Sequence, residues 1–409
     1  MYNNEDLVEK VILFCADLDN GEDIEVNLKE LEELVKTAGA VVAGRLIQKK
    51  ENIDNVTYLG SGKVLELKDM ITELGATGVV CDDELSAIQL KNLEDILDTK
   101  IMDRTMVILD IFASRATTRE GKIQVELAQL KYRSSRLLGM GRSLSRLGGG
   151  IGTRGPGEKK LEIDRRIIRE RISQLQHELN DVKQHREVMR KQRMSGNLPI
   201  ISIVGYTNAG KSTLLNRLTD AGVLEEDKLF ATLDPTSRTY RLNNGQEIII
   251  TDTVGFIRKL PHHLINAFRS TLEEAKYADI ILHIVDISNP QADSHIVTVY
   301  DTLSSLDIKD KPVLTAFNKI DKLDELPVIK DFKADRVIYI SAKKEIGFDN
   351  LSNALEDIIN GCRKYVEKTI SYQDAGLLNR LRKYGTVLEE DYREDGIFVK
   401  AYVEKDFNI

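Results

Sequence analysis

A chain of 409 residues is too long for one compact core and suits three or four domains of roughly 100–150 residues each. With 42% hydrophobic and 30% charged residues most of it is expected to fold, yet no run approaches the roughly 20 apolar residues that span a bilayer, and the start MYNNEDLVEK has neither the basic end nor the apolar core of a signal peptide. The net charge of −8 conceals a basic stretch, residues 104–196, with 21 Lys and Arg against 10 Asp and Glu, which points to a localised polyanion contact. Cys15, Cys81 and Cys362 are widely separated and show no metal or disulfide spacing, so a reducing cytoplasm is expected.

Residues 1–110 alternate short apolar runs with helical patterns and are expected to form an α/β domain. Val11–Cys15, Ala40–Ile47, Gly78–Cys81, and Ile101 with the run Met106–Phe112 predict strands; Leu28–Thr37, Lys63–Leu74 and Ser86–Leu97 predict helices. Gly60-Ser-Gly-Lys63 resembles half of a phosphate loop, but Thr57 stands where the first glycine would be needed, so a helix start is the better reading.

Residues 111–196 predict a basic helical hairpin. Ile123, Leu127, Leu130 and Leu137 form one stripe; Leu161, Ile168, Ile172, Leu175, Leu179, Val182 and Met189 form the other, interrupted at Arg165 and Arg186. Between them lies the segment 139–157, with eight glycines, three arginines and no acid. A helical turn needs only about 2–5 residues, so this length asks for another use. Glycines allow close backbone approach, and Arg142, Arg146 and Arg154 can pair with phosphates or stack on bases, so RNA contact is expected here.

Residues 197–365 carry the chemistry. The apolar run Ile200–Val204 feeds Gly205-Tyr206-Thr207-Asn208-Ala209-Gly210-Lys211-Ser212, a complete GxxxxGK[ST] loop, and a helix opens at Thr213. Backbone N–H groups from Asn208 to Thr213 would cradle the β-phosphate, Lys211 would bridge the β- and γ-phosphates, and Ser212 would ligate Mg²⁺. Asp252-Thr253-Val254-Gly255 follows the strand Glu247–Thr251; Asp252 would hold Mg²⁺ and the Gly255 N–H would sense the γ-phosphate. Asn318-Lys319-Ile-Asp321 follows Pro312–Phe317, and its Asp carboxylate can accept both N1–H and the 2-amino group of guanine, which adenine cannot offer. Ser341-Ala342-Lys343 follows Val337–Ile340 and would place an N–H near guanine O6. GTP is therefore the expected nucleotide. The switch threonine could be Thr232, Thr236 or Thr239. Residues 366–409 predict a small α+β domain, with strands Thr369–Tyr372, Thr386–Tyr392 and Ile397–Val403 and a helix Gly376–Tyr384.

These elements resemble the small G proteins of the translation-factor class: a doubly wound, mostly parallel P-loop GTPase fold. GYTNAGKS and Leu229-Phe230-Ala231-Thr232-Leu-Asp-Pro235 are similar to the branch containing TrmE, Era and Obg. That resemblance implies that Thr232 meets Mg²⁺ and the γ-phosphate beside Phe230 and Ala231, so that Lys211, Thr232 and Gly255 act on the reacting group. It also implies that Asn208 can help coordinate K⁺ beside the phosphates. The segments Tyr58–Lys63, Asp103-Arg-Thr105, Ile111–Ala116, Gln124–Tyr132 and Gly148–Glu158 resemble the HflX family, and with the rest the likeness covers nearly the whole chain. It implies a cytoplasmic GTPase, expected to be monomeric, that binds the large ribosomal subunit through the hairpin and splits or rescues ribosomes under stress. A ribosome-assembly GTPase, or an RNA-remodelling enzyme with a second nucleotide site in the N-terminal domain, is the alternative. After Gly255 stands Phe256, where Ras-like proteins carry a water-orienting Gln, so unaided hydrolysis is expected to be slow.

Overall fold

The computed structural model describes residues 8–19, 21, 23–144, 156–194, 198–219, 229–230, 236–259, 274–403 and 407. The chain divides into two compact units: Met1–His185 with Glu226–Asp234 and Arg258–Ser270, and Arg186–Glu225 with Pro235–Ile257 and Thr271–Ile409.

In the first unit, β1 (Lys10–Asp17), β2 (Val41–Lys49), β3 (Gly78–Cys81) and β4 (Lys100–Asp103) form a parallel sheet in the order β2-β1-β3-β4. Parallel strands need crossovers, and α1 (Ile24–Thr37), α2 (Ser61–Leu74) and α3 (Ala87–Leu97) supply them. The helix starts are legible: Asp23 caps α1, and Ser86 with Gln89 closes a capping box on α3. Gly60 precedes α2 in extended conformation, so that glycine pair opens a helix.

The run Met106–Phe112 is helical rather than extended, because it lies inside α4 (Arg104–Arg115). Two causes decide this. Asp103 leaves β4 with its carboxylate accepting the Met106 N–H at 3.0 Å, a helix cap. Val107, Ile108, Ile111 and Phe112 then fall on one face at helical spacing and are all buried. A short apolar run broken only at Asp110 does not by itself separate a buried strand from a buried helix.

α5 (Arg119–Leu144) and α6 (Pro156–Met194) run antiparallel, since Glu126 pairs with Arg171 at 2.8 Å while Leu137 accepts a hydrogen bond from Arg165. Ile123, Leu127, Leu175 and Leu179 form their shared core, with Leu130 and Ile172 partly buried against it. Arg165 interrupts the apolar seam because its guanidinium caps the Leu137 carbonyl. Arg146 and Arg154 lie outside the described residues; the backbone of Arg142 is in α5.

The second unit holds a six-stranded sheet in the order β10-β9-β8-β5-β7-β6. Its strands are β5 (Ile200–Gly205), β6 (Thr236–Arg241), β7 (Glu247–Asp252), β8 (Ile280–Asp286), β9 (Val313–Asn318) and β10 (Arg336–Tyr339). All pair in parallel except β6 with β7. The runs of β8 and β9 are buried almost throughout, as a sheet covered on both faces requires. The covering helices include α7 (Lys211–Thr219), α8 (Ala292–Ser305) and α9 (Phe348–Cys362).

A three-stranded antiparallel sheet, β11 (Lys364–Ile370), β13 (Gly396–Val403) and β12 (Thr386–Arg393), follows, packed on α10 (Ala375–Tyr384). Its first strand starts and ends earlier than the sequence reading. The ladder closes at the Ile370–Ile397 pair, and Tyr372–Asp374 turns as a 3-10 helix into α10.

Candidate nucleotide site

The site grows from the C-terminal ends of β5, β7, β8, β9 and β10, on the carboxyl side of an open α/β sheet where such folds bind ligands. β5 ends at Gly205, and α7 begins at Lys211. Gly205 has no room for a side chain, since a Cβ there would stand 2.3 Å from the Ile284 carbonyl oxygen on β8. Gly210 has φ +96°, and a Cβ would meet Asn318 Nδ2 at 2.3 Å. Asn208 takes a left-handed turn at φ +59°, a conformation asparagine tolerates better than most residues. Together these settings fix the tight loop that leads into α7.

Lys211 is buried and donates to the Tyr206 carbonyl at 2.8 Å. Burial pulls its pKa down to about 8, against the Asp252 carboxylate, which raises it. Ser212 Oγ donates to Asp252 Oδ2 at 2.8 Å, bringing together a hydroxyl and a carboxylate from the ends of two different elements. That pair of hard oxygens at a helix N-terminus fits Mg²⁺, which takes one or two protein oxygens and completes its octahedron with water and phosphate.

Gly255 approaches the loop closely: a Cβ would lie 2.9 Å from Lys211 Nζ and from Thr207 Cα. Thr253 Oγ1 donates to the Ile203 carbonyl at 2.7 Å, and Val254 is buried. Phe256 continues the β5–β7 pairing as a bridge to Tyr206: its N–H donates to the Gly205 carbonyl at 3.0 Å, and its carbonyl accepts the Thr207 N–H at 2.8 Å. Its ring is buried. An apolar ring sealed in the core cannot orient a water.

The segments Asn318–Asp321 and Ser341–Lys343 are tied to the loop through the side chains of Asn318 and Lys319. Asn318 Nδ2 donates to the Ala209 carbonyl at 2.8 Å, and Asn318 Oδ1 accepts the Ala342 N–H at 2.9 Å. Lys319, at φ +69°, donates to the Asn208 carbonyl at 2.6 Å and pairs with Asp286 at 2.7 Å. Asp321 Oδ1 accepts the Ser341 hydroxyl at 2.6 Å, and that hydrogen bond, the largest cause, holds the carboxyl below its ordinary range. The carboxylate therefore stays an acceptor at neutral pH. Lys343 is exposed.

The loop Gly205–Ser212, Thr213, Asp252–Gly255, Asn318, Lys319, Asp321 and Ser341–Lys343 thus lie in one unit. Leu229 and Phe230 belong to the first unit, where Phe230 is buried edge-on against Phe112 of α4 at 4.6 Å between ring centroids. Ala231 and Thr232 lie outside the described residues. Two neighbours of the loop escaped the sequence reading. Asp286 had a signal, an acid ending the apolar run of β8. His295 had none; its ring stacks on Tyr206 at 3.6 Å and 5° from α8, a meeting set by tertiary packing.

Three family descriptions match in series: GTP-binding GTPase N-terminal over residues 25–113, GTP-binding GTPase Middle Region over 115–193, and 50S ribosome-binding GTPase over 200–319. The GTPase HflX of Lacrimispora saccharolytica is 63% identical over 98% of this chain and 94% of its own length. The chain belongs to the HflX family of GTPases. The HflX of Escherichia coli is 39% identical, over 97% of this chain and 93% of its own. A GTP-binding protein of Sulfolobus solfataricus, solved in complex with GDP, is 25% identical over 86% of this chain and 98% of its own, with a TM-score of 0.45. As a member of the HflX family the chain binds GTP and hydrolyses it. Among the described residues no helix is long and apolar enough to cross a membrane.

Proposed function

We propose that this HflX protein is a cytoplasmic, monomeric, GTP-gated factor of the large ribosomal subunit, and that its bound form splits or rescues ribosomes under stress. The observation that carries the reading is the match of residues 200–319 to a 50S ribosome-binding GTPase, joined to a loop whose parts are held in place for a nucleotide. In this reading Lys211 leaves the Tyr206 carbonyl for the β- and γ-phosphates, whose charge restores its full protonation. Ser212, Asp252 and Thr232 hold Mg²⁺, a Lewis acid that neutralises charge on the phosphates. The Gly255 amide reads the γ-phosphate, and Asp321 with the Ser341–Lys343 backbone reads guanine. The basic hairpin, with Arg142, Arg146 and Arg154 in the segment 139–157 of its sequence, meets ribosomal RNA.

Sedimentation tests the whole reading. With 70S ribosomes and a non-hydrolysable GTP analogue, the protein should travel with 50S particles and free 30S should appear; with GDP it should stay at the top of the gradient. Association with precursor subunits alone would favour the assembly reading, and no association in any nucleotide would defeat both.

Two narrower results are expected. Replacing Arg142, Arg146 and Arg154 by Ala removes three phosphate-pairing charges, so the slope of log affinity for 50S against log salt should flatten by about 2–3, with GTP affinity of the free protein unchanged. An unaltered slope would make the segment a plain connector. Asn208 stands beside the phosphates, so hydrolysis should be faster in K⁺ than in Na⁺ at equal ionic strength, and Asn208→Ala should erase the difference. Equal rates in both salts with the wild type would remove the cation.

A further inference from the structure

The connection from the 3-10 turn Ile320–Lys322 to β10 has no regular secondary structure, yet it is fastened at two points. Leu323 and Ile329 pack against the cluster of Val285, Ile287, Ile296 and Phe317. Asp331 is buried, and Oδ2 accepts the hydroxyls of Thr315 at 2.7 Å and Tyr300 at 2.9 Å, with His283 Nδ1 at 3.5 Å. Its other oxygen accepts the Lys333 N–H at 3.0 Å. Burial alone would raise this carboxyl; those neighbours outweigh it and hold it at about 2, so it is ionised and turned inward.

The same fastening thrusts two apolar side chains outward. Val328 and Phe332 are each 90% exposed, while the next among large hydrophobics, Tyr392, reaches 61%. A ring left in water forgoes about 1.5–3 kcal/mol of burial, and a pinned loop gives it no route inward. Lys330 and Lys333 bracket Phe332, and the acid between them, Asp331, is turned inward; the nearest exposed acids, Glu325 and Asp335, lie further along the chain. Lys333 Nζ lies 4.8 Å over the Tyr300 ring, which keeps it beside the knob. An exposed aromatic face between two lysines is the chemistry that stacks an unpaired base and pairs with its phosphates. Two cations beside the ring suit an anionic backbone better than a purely apolar pocket.

Resting on the ribosome reading above, we propose that Phe332, with Lys330 and Lys333, is a second RNA contact of this protein, a stacking site for an unpaired ribosomal RNA base. The test uses the full-length protein, purified 50S subunits and a non-hydrolysable GTP analogue, with a photo-reactive benzophenone side chain placed at position 332. Ultraviolet light should join the protein to ribosomal RNA. In parallel, Phe332→Leu should weaken 50S binding by about 5- to 150-fold, the loss of one stacked base, while Phe332→Trp should bind at least as well as wild type. Basal GTP hydrolysis should be the same in all of them. A cross-link to ribosomal protein, or Leu binding as well as Phe, would overturn the RNA assignment in favour of an apolar pocket. No cross-link from protein that co-sediments would overturn this site and leave the ribosome reading standing. Wild type that fails to co-sediment would remove both.

Discussion

Asp321→Asn should exchange guanine for xanthine. In the reading proposed above the carboxylate would accept two donors from guanine, N1–H and the 2-amino group, each charge-assisted bond contributing about 1.5–3 kcal/mol. An amide retains one acceptor and turns a donor toward the 2-amino group, so GTP affinity should fall by roughly 10²–10⁴-fold. Xanthine carries a carbonyl at that carbon and should bind in its place. The fold should survive, because Asn Oδ1 can still accept the Ser341 hydroxyl that Asp321 accepts at 2.6 Å. Competition of GTP and XTP against a fluorescent guanine nucleotide measures this. Wild-type GTP affinity together with indifference to XTP would mean that the base sits elsewhere.

Gly205→Ala should unfold the second unit at a temperature where the wild type is intact. The new Cβ would stand 2.3 Å from the Ile284 oxygen and 3.2 Å from its carbonyl carbon, both backbone atoms of the neighbouring strand. Neither can step aside without parting β5 from β8 at the centre of the sheet. Overpacking of this kind costs about 3 kcal/mol or more, a fall of roughly 6–12 °C in the midpoint for a unit of this size. Gly361→Ala is the control, because a Cβ there meets nothing within 4 Å. It should leave the midpoint unchanged or raise it, by up to about 1 kcal/mol of helix propensity. Equal midpoints for Gly205→Ala and wild type would mean that the two strands do not approach in this way.

Much of this was legible in the sequence, and the reasons are local. The loop from Gly205 to Ser212 has a fixed spacing because the turn, the cradle and the first helical residue are consecutive in the chain. Asp252, Asn318 and Ser341 each stand at or next to the C-terminal end of an apolar run of the parallel sheet, the edge where such folds bind ligands, so their neighbourhood follows from topology. The sequence of α4 reads as a strand because its apolar residues are interrupted only once, at Asp110, which leaves the period open; the Asp103 cap is the local sign of a helix. His295 could not be foreseen, because nothing in α8 says which ring will face Tyr206. The exposure of Phe332 was equally hidden: an apolar residue in a connection is ordinarily expected to turn inward, and it is the burial of its neighbour Asp331 that turns it out.

The site fits a GTPase that turns over slowly until a partner docks. Phe256 is held by its backbone against Gly205 and Thr207 with its ring in the core, so its side chain cannot orient water as Gln does. Docking of a partner can fix an attack geometry for the nucleophilic water. The most direct test is the turnover of GTP by the purified protein with and without 50S subunits. The account predicts slow hydrolysis alone and a rise of roughly 10-fold or more with 50S, and no rise with an equal mass of bulk tRNA. A free protein that already hydrolyses GTP at the 50S-stimulated rate would contradict it, and would place a water-orienting group within this chain.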